Sequence, residues 1–147
     1  MGILKKVDII FKNRREKFFD KVKIDAKTNF EKIDNKDFKL RNIHYNFRCH
    51  LVAVQNALID KKQDVYLCMC LDSAGHPFVH FINGISNYYI DDTLGWWGKK
   101  NVEYYIIKKL KKEEYDQVNQ ILLDTKRFYI NKHAKFIDHF LINESDL

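Results

Sequence analysis

The chain has only one proline and five glycines among its 147 residues, and most of the glycines fall between Gly75 and Gly98. Tight turns are therefore expected mainly in that interval. No run of about 18 apolar residues occurs, so the sequence predicts no membrane-spanning helix. Hydrophobic residues make up 46% and charged residues 31% of the chain, a balance that excludes a disordered protein. A single domain covering residues 1–147 is expected, with a core that needs neither disulfides nor metal.

Cysteine is also scarce, and its three positions are Cys49, Cys68 and Cys70. An odd count at this spacing does not suggest a disulfide scaffold. The Cys-x-Cys pair with scattered histidines lacks a second ligand pair at zinc-site spacing, so no metal and no cofactor is predicted. The start Met-Gly-Ile-Leu-Lys-Lys lacks the apolar core of a signal peptide, and Lys6 stands where myristoylation expects Ser or Thr. The expected compartment is a reducing cytoplasm.

Positive charge is in modest excess, with 26 Lys and Arg against 20 Asp and Glu. Such a surplus favours anionic partners without identifying one. The basic residues are spread along the chain as pairs, such as Lys5-Lys6, Lys99-Lys100 and Lys111-Lys112. A solvated lysine-rich surface is the better interpretation than a nucleic-acid site, because no nucleic-acid-binding motif is visible.

The predicted domain has three parts. Residues 1–45 are interpreted as an N-terminal covering segment. Within it, 7–11 is either a short strand or a helix start, 14–22 has helical spacing, and 25–41 is read as short helices and loops that cover a core. Residues 46–110 are predicted to form a helix-plus-sheet core. Residues 111–147 are predicted to be helical.

Within the core, a helix is predicted over roughly 47–61, with Asn46 as its N-cap. Four strands follow, at 65–71, 76–82, 88–93 and 102–110, and short turns between them indicate an antiparallel meander. Residues 95–98, Gly-Trp-Trp-Gly, are read as a loop. In the C-terminal helix, which starts at about Lys112, Asn131 is a poor helix former and a candidate break. The fold class is therefore α+β.

Cys49 is the first chemically informative residue. Its predicted place in the first turn of a helix puts it near unsatisfied N–H groups and the positive end of the helix dipole, which favour a thiolate. Taken alone, a cysteine there is more often a small buried apolar residue.

His80 and Asp91 are the second informative pair. His80 lies in the middle of an apolar strand, where a histidine either finds a hydrogen-bond partner or serves as a base. A hairpin that pairs residues 80 and 91 has its centre between Ile85 and Ser86, inside a predicted turn. A carboxylate beside an imidazole fixes its tautomer and stabilises the imidazolium. A purely structural hydrogen bond is an equally good reading of this pair on its own.

The order Cys at a helix start, His in a strand and Asp after the next strand resembles the papain-like superfamily, in particular its transglutaminase-like and arylamine-acetyltransferase-like branches. The resemblance spans about residues 46–110. The strings that carry it are Asn46-Phe47-Arg48-Cys49-His50, Val79-His80-Phe81 and Tyr89-Ile90-Asp91-Asp92-Thr93-Leu94-Gly95. The chain departs from the family at Arg48, where an aromatic or small residue is usual, and at Asp92, where proline is common. It also lacks the upstream glutamine of papain.

The resemblance implies a papain-like core whose helix packs on the antiparallel sheet, with Cys49 as nucleophile, His80 as base and Asp91 as orienter. Asp92 is the alternative orienter, because neighbours on a strand point to opposite faces and only one can reach the imidazole. Asn42 and Asn46, with the backbone N–H of Cys49, are oxyanion-hole candidates.

The implied function is a thiol-dependent hydrolase or acyltransferase: a protease, a deamidase or a transglutaminase-like enzyme. Its substrate would be a protein or a small acyl compound. Trp96 and Trp97 either line the substrate cleft or cover one end of the core. One alternative is a non-catalytic basic module, such as a phage or bacterial effector that binds a host protein or nucleic acid. A purely structural or regulatory domain is the other.

Overall fold

The computed structural model describes residues 2–41 and 48–147, and the predicted α+β class is confirmed. The α-helices in this part of the chain are α1 (Ile3–Asn29), α2 (Cys49–Ile59), α3 (Gly95–Asn101) and α4 (Val118–His133). The strands are β1 (Glu31–Lys32), β2 (Asp64–Leu71), β3 (Pro77–Ile85), β4 (Tyr88–Ile90) and β5 (Glu103–Lys109). Short 3-10 helices lie at Asn35–Asp37, Lys112–Gln117, Phe136–Phe140 and Glu144–Asp146. Among these helices, none has the length and apolar character needed to cross a bilayer.

The five strands form one antiparallel sheet in the order β1-β5-β2-β3-β4. The consecutive strands β2, β3 and β4 are neighbours, as a meander requires. The fourth predicted strand does not continue the meander, because β5 pairs with β2 on its other side, with Cys70 opposite Tyr104. Helix α3 separates β4 from β5 and lets the chain return across the sheet.

The hairpin between β3 and β4 has a different register from the predicted one. Asn83 pairs with Ile90 and Ile85 with Tyr88, so the turn consists of Ser86 and Asn87. Ser86 adopts a positive φ of 50°, as tight hairpin turns demand. Strand β4 ends at Ile90 rather than at residue 93, and it therefore covers only the last part of β3.

The N-terminal segment also differs from its prediction. Residues 3–29 form one continuous helix, which includes 7–11 and 14–22 and continues into the segment predicted to be short helices and loops; no glycine or proline interrupts it. The second half of α1 is anchored by buried Phe18, Phe19 and Val22. After α1, the two-residue strand β1 adds an unpredicted edge to the sheet by pairing with β5.

Two further predictions are corrected in the second half of the chain. The Gly-Trp-Trp-Gly segment at 95–98 begins helix α3 and is not a loop. Asn131 lies inside α4, and the helix continues to His133 before the chain turns at Ala134. Neighbouring helical hydrogen bonds compensate for the weak propensity of one asparagine.

The core lies on both faces of the sheet. One cluster joins α1, α2 and α4 to the face of β3 that carries Val79 and Phe81. The smaller cluster on the other face contains Cys68, Ile82 and Tyr104. Strand β3 therefore separates the helix layer from the face that carries both His80 and Ile82.

Candidate active site

Helix α2 begins at Cys49, so the cysteine lies in the first turn. Arg48 occupies the cap position but makes no capping hydrogen bond with its side chain. Among the described residues, no side chain at the cap position bonds the first N–H groups of α2, which lie near the sulfur. Cys49 packs against the larger core cluster and keeps part of its surface exposed.

The thiol of Cys49 is strongly acidified by its surroundings. Burial raises its pKa. The positive charge of His80 and hydrogen bonds from His50, His80 and the backbone of Phe81 outweigh burial and lower the pKa to about 6. Because this pKa lies below neutral pH, the residue is ionised there. The thiolate is the nucleophilic form of cysteine.

The contact with Phe81 follows from the short β4. Because β4 pairs only with residues 83–85, no strand among the described residues pairs with the preceding residues at this edge of β3. Backbone N–H groups that point out of this edge alternate along the strand. The N–H of Val79 donates to the carbonyl of Leu147 at 2.8 Å, and the N–H of Phe81, two residues on, points to the Cys49 sulfur.

His80 and Asp91 form a buried pair, with Nε2 of the imidazole 2.8 Å from Oδ2 of the carboxylate. The hairpin register puts Ile82, not His80, opposite the position of Asp91, so the two side chains meet diagonally across the sheet. Since Nε2 is engaged, Nδ1 is the ring nitrogen left for Cys49.

The imidazole is held in its charged form. Burial lowers the pKa of His80, but the negative charges of Asp91 and the Cys49 thiolate, together with their hydrogen bonds, raise it well above the ordinary value. The sulfur and the imidazole thus form an ion pair at neutral pH.

Asp91 is fixed by four hydrogen bonds. In addition to His80, it accepts the Tyr104 hydroxyl at 2.7 Å on Oδ2 and the backbone N–H groups of Thr93 and Leu94, each at 3.0 Å, on Oδ1. Burial raises the pKa of Asp91, but the His80 charge and these hydrogen bonds lower it below its usual value. The carboxylate is therefore ionised and has one orientation.

Tyr104 is a site residue that sequence reasoning missed. It reaches Asp91 because β5 lies beside β2, a pairing that the meander prediction did not contain. A Cβ at Gly98 would collide with the Tyr104 hydroxyl and lie 2.7 Å from Cβ of Leu94. The glycine in α3 therefore makes room for this hydroxyl, but it gave no signal in the sequence, where residues 95–98 were read as a loop.

Asp92, the alternative orienter, contacts other groups. Its carboxylate pairs with Arg41 and accepts a hydrogen bond from Asn56 at 2.8 Å. Asn56 also donates to Asn83 at 3.2 Å, and Asn83 donates to the carbonyl of Ala53 at 2.8 Å. This network ties α2 to β3 and to the chain after β4, so it holds the cysteine helix and the His80–Asp91 pair in register.

The remaining predicted site residues fall into two groups. The oxyanion-hole candidates Asn42 and Asn46 lie outside the described residues, and so does the N-cap predicted at Asn46. Trp96 and Trp97 lie on α3 with 57% and 45% of their surfaces exposed, and Lys100 Nζ is 4.9 Å from the centre of the Trp96 ring.

His50, the residue after Cys49, is a second imidazole at the sulfur. Its Nε2 lies 2.6 Å from Oδ1 of Asn119 on α4, while its hydrogen bond to Cys49 lowers the pKa of the thiol. Nothing in the sequence pairs His50 with Asn119, because they are far apart and on different helices. In the described part of the chain, no three His, Cys, Asp or Glu side chains cluster closely enough to hold a metal ion.

Comparisons of the chain with protein-family models, with curated proteins and with solved structures give no match. The functional argument therefore depends on the chemistry of the site. That site combines a partly exposed thiol of lowered pKa, an imidazole with Asp91 at one nitrogen and Cys49 at the other, and a buried, oriented carboxylate. Such a set can attack a carbonyl carbon and transfer a proton to the leaving group.

Proposed function

We propose that this protein is a thiol-dependent hydrolase or acyltransferase that works through a thioester on Cys49. The observation that carries the proposal is the position of the Cys49 thiol beside His80, whose positive charge lowers the pKa of the thiol, with Asp91 on Nε2 of the imidazole. A structural histidine has no need of a cysteine at its other nitrogen. This arrangement is the nucleophile, base and orienter set of cysteine acyl transfer.

In the first half of the proposed reaction, the Cys49 thiolate attacks the carbonyl carbon of an amide or ester. The carbonyl electrons move to the oxygen, which becomes an oxyanion. When the tetrahedral intermediate collapses, the leaving amine or alcohol takes the proton from the His80 imidazolium. A thioester and a neutral imidazole remain.

In the second half, neutral His80 takes a proton from water or from an amine, and the resulting nucleophile attacks the thioester. Collapse expels the Cys49 thiolate, and the acyl group leaves as an acid or as a new amide. Asp91 stays ionised throughout and stabilises the imidazolium each time that it forms. Hydrolysis and acyl transfer differ only in the second nucleophile.

The oxyanion requires hydrogen-bond donors near the sulfur. The backbone N–H of Cys49 is one candidate, because the first turn of α2 has no side-chain cap. Asn42 and Asn46 remain candidates for the second donor. Trp96 and Trp97 are proposed to contact the acyl substrate, which is a protein or a small molecule, since large exposed aromatic rings suit apolar contacts.

The proposal includes a papain-like core, in which α2 carries the nucleophile and packs on the face of β3 that bears Val79 and Phe81. Support comes from α2 and β3 sharing one core cluster, and from the Asn83 amide that joins them. A reducing cytoplasm is the compartment proposed for the protein, since a thiolate nucleophile needs to stay reduced.

An activated ester tests the reaction directly. Mixing the protein with p-nitrophenyl acetate should release a burst of about one equivalent of nitrophenol, and mass mapping should find the acetyl group on Cys49. Cys49→Ala should abolish both signals. Cys68→Ala should leave the burst and the adduct intact, because that cysteine is fully buried. An equal burst from Cys49→Ala, or an adduct elsewhere in the wild type, would refute the proposal.

A further inference from the structure

The first half of α1 carries an apolar stripe without a core to face. The stripe consists of Ile3, Leu4, Val7, Ile10 and Phe11, spaced three and four residues apart. At about 100° per residue, they lie on the same side of the helix as the buried Phe18 and Val22. The core-facing pattern thus continues beyond the core, where Ile3 and Leu4 are 81% and 80% exposed.

A second apolar group lies beside this stripe. In the 3-10 helix after α4, Phe136 and Phe140 are 85% and 79% exposed, with ring centres 6.2 Å apart in an edge-on arrangement. Arg14, on the stripe side of α1, donates to Asp138 of this 3-10 helix at 3.0 Å. Ile10 lines a cavity with Asp138 and Phe11 lines another with Leu141, so the stripe borders this 3-10 helix. The five stripe residues with Phe136, Ile137 and Phe140 are called here the apolar patch.

Positive charge borders the apolar patch. Residues 2–17 contain six basic and two acidic residues. Arg14 and Arg15 of this set pair with Asp138 and Asp146. The other four cations are exposed, and the described residues include no ion-pair partner for them: Lys5, Lys6, Lys12 and Lys17. On the helix, Lys6 and Lys17 lie at the rim of the stripe, and Lys135 lines a cavity with Lys17 and Ile10 on that same side.

We propose that the apolar patch docks onto the surface of an anionic lipid bilayer, with the rings and aliphatic chains entering the headgroup region and the lysines contacting lipid phosphates. Amphipathic helices with a basic polar face bind bilayers in this way. A second copy of this chain is disfavoured as occupant, because a symmetric contact would bring Lys6 and Lys17 close to the lysines of the other copy. Exposed aromatic side chains at headgroup depth strengthen such binding.

Sedimentation with lipid vesicles tests the docking. The full chain should bind vesicles of phosphatidylcholine with phosphatidylglycerol and release them when salt is added, because screening weakens the contribution of the lysines. Binding to pure phosphatidylcholine should be at least tenfold weaker. Replacing Lys6 and Lys17 with Gln should weaken anionic-vesicle binding by about 25-fold, at about fivefold for each lysine.

Matched variants locate the surface. Phe136→Ser with Phe140→Ser should reduce binding at least tenfold, whereas Ile59→Ser, at a residue 76% exposed on α2, should leave binding unchanged. The Lys61→Gln and Lys62→Gln pair removes two exposed charges away from α1 and should also have no effect. Alkylation of Cys49 should be normal in every variant, which shows that each is folded and separates this proposal from the proposed reaction.

Several outcomes would overturn the docking proposal. A chain that binds neither vesicle type would do so. An equal loss of vesicle binding in the Ile59 or Lys61–Lys62 controls would do so as well. A concentration-dependent dimer that Phe136→Ser dissociates would assign the patch to a second copy. Salt-sensitive binding to an acidic protein, with none to vesicles, would assign it to a protein partner.

Discussion

The start of α2, beside the edge of β3, and the interior of β2 both contain cysteines. The two regions shift the pKa of the thiol in opposite directions. Cys49, at the edge, has its pKa lowered to about 6. Cys68 and Cys70, on β2, have theirs raised well above the ordinary value, because they are fully buried and near the negative charge of Asp91. One residue type thus serves as a nucleophile in one region and as inert packing in the other.

Pairing with His80 in the sheet does not explain this difference in pKa. Cys68 is the direct cross-strand partner of His80, whereas Cys49 comes from another element. Nε2 of His80 is taken by Asp91, and its remaining nitrogen serves the Cys49 sulfur. Cys49 also receives the Phe81 N–H and the His50 hydrogen bond, which β2 does not offer. The His80 charge, which acts on Cys49 together with these directed donors, therefore decides the ionisation.

The largest expected effect is the contrast between the cysteines themselves. Iodoacetamide at pH 7 should alkylate Cys49 at least about a thousandfold faster than Cys68 or Cys70, since buried thiols react only after the structure opens. Peptide mapping over time measures all three rates in one sample. In denaturant the three rates should converge, and similar rates in the native protein would contradict the contrast.

The next effect concerns His80, whose charge creates the difference. In the wild type the alkylation rate of Cys49 should rise with pH through a midpoint near 6, because only the thiolate reacts. His80→Ala should move the midpoint to about 8.5 or above, since burial then acts without the imidazolium. At pH 5.5 the rate should fall by about tenfold or more, after allowance for the weaker nucleophilicity of a low-pKa thiolate.

His76→Ala is the matched control for this experiment, because His76 is exposed and pairs with Glu16 and Asp72. Its midpoint should stay at the wild-type value. A wild-type midpoint near 8.5, or one that His80→Ala leaves in place, would show that the ion pair does not form.

A smaller effect separates the adjacent carboxylates. Asp91→Asn should raise the midpoint of Cys49 alkylation by about one pH unit, because it removes the charge that holds His80 protonated. Asp92→Asn should leave the midpoint within about 0.3 unit, since Asp92 pairs with Arg41 and Asn56. Both variants should lose about 1–3 kcal/mol of unfolding free energy in urea titrations, because each disrupts a buried hydrogen-bonded carboxylate.

The pH profile is therefore the readout that distinguishes orientation of His80 from structural support. Equal shifts in the two variants would assign Asp91 and Asp92 the same role. An unchanged profile in Asp91→Asn would indicate that the carboxylate only stabilises the fold.

Sequence reasoning located the α+β class, the start of α2 and the residues His80 and Asp91 from local patterns. Periodicity and turn residues act over a few positions, which is enough to place single elements. The same reasoning misplaced the hairpin turn, which is Ser86-Asn87 rather than a turn centred between Ile85 and Ser86. A shift in register changes which residues are opposite, and neighbouring glycines and asparagines offered several turns of similar quality.

Tyr104 and the His50–Asn119 pair were beyond the reach of such patterns. Tyr104 contacts Asp91 only because β5 crosses to the far side of β2, and two strands of similar composition give no signal for their order in a sheet. The continuous α1 was also missed. Its first half carries many charges and has no buried residue, so its sequence lacks the core-facing pattern that usually indicates a helix.

The amino-acid sequence by itself determined which side chains are present, and that a cysteine would begin a helix, a histidine would lie in an apolar strand and an aspartate would follow the next strand. Only the tertiary structure decided that β4 stops early, leaving the edge of β3 open so that Cys49 receives the Phe81 N–H and the free nitrogen of His80. The physical reason is that a pKa depends on charges and donors within a few ångströms, and the fold brings those groups together from distant parts of the chain.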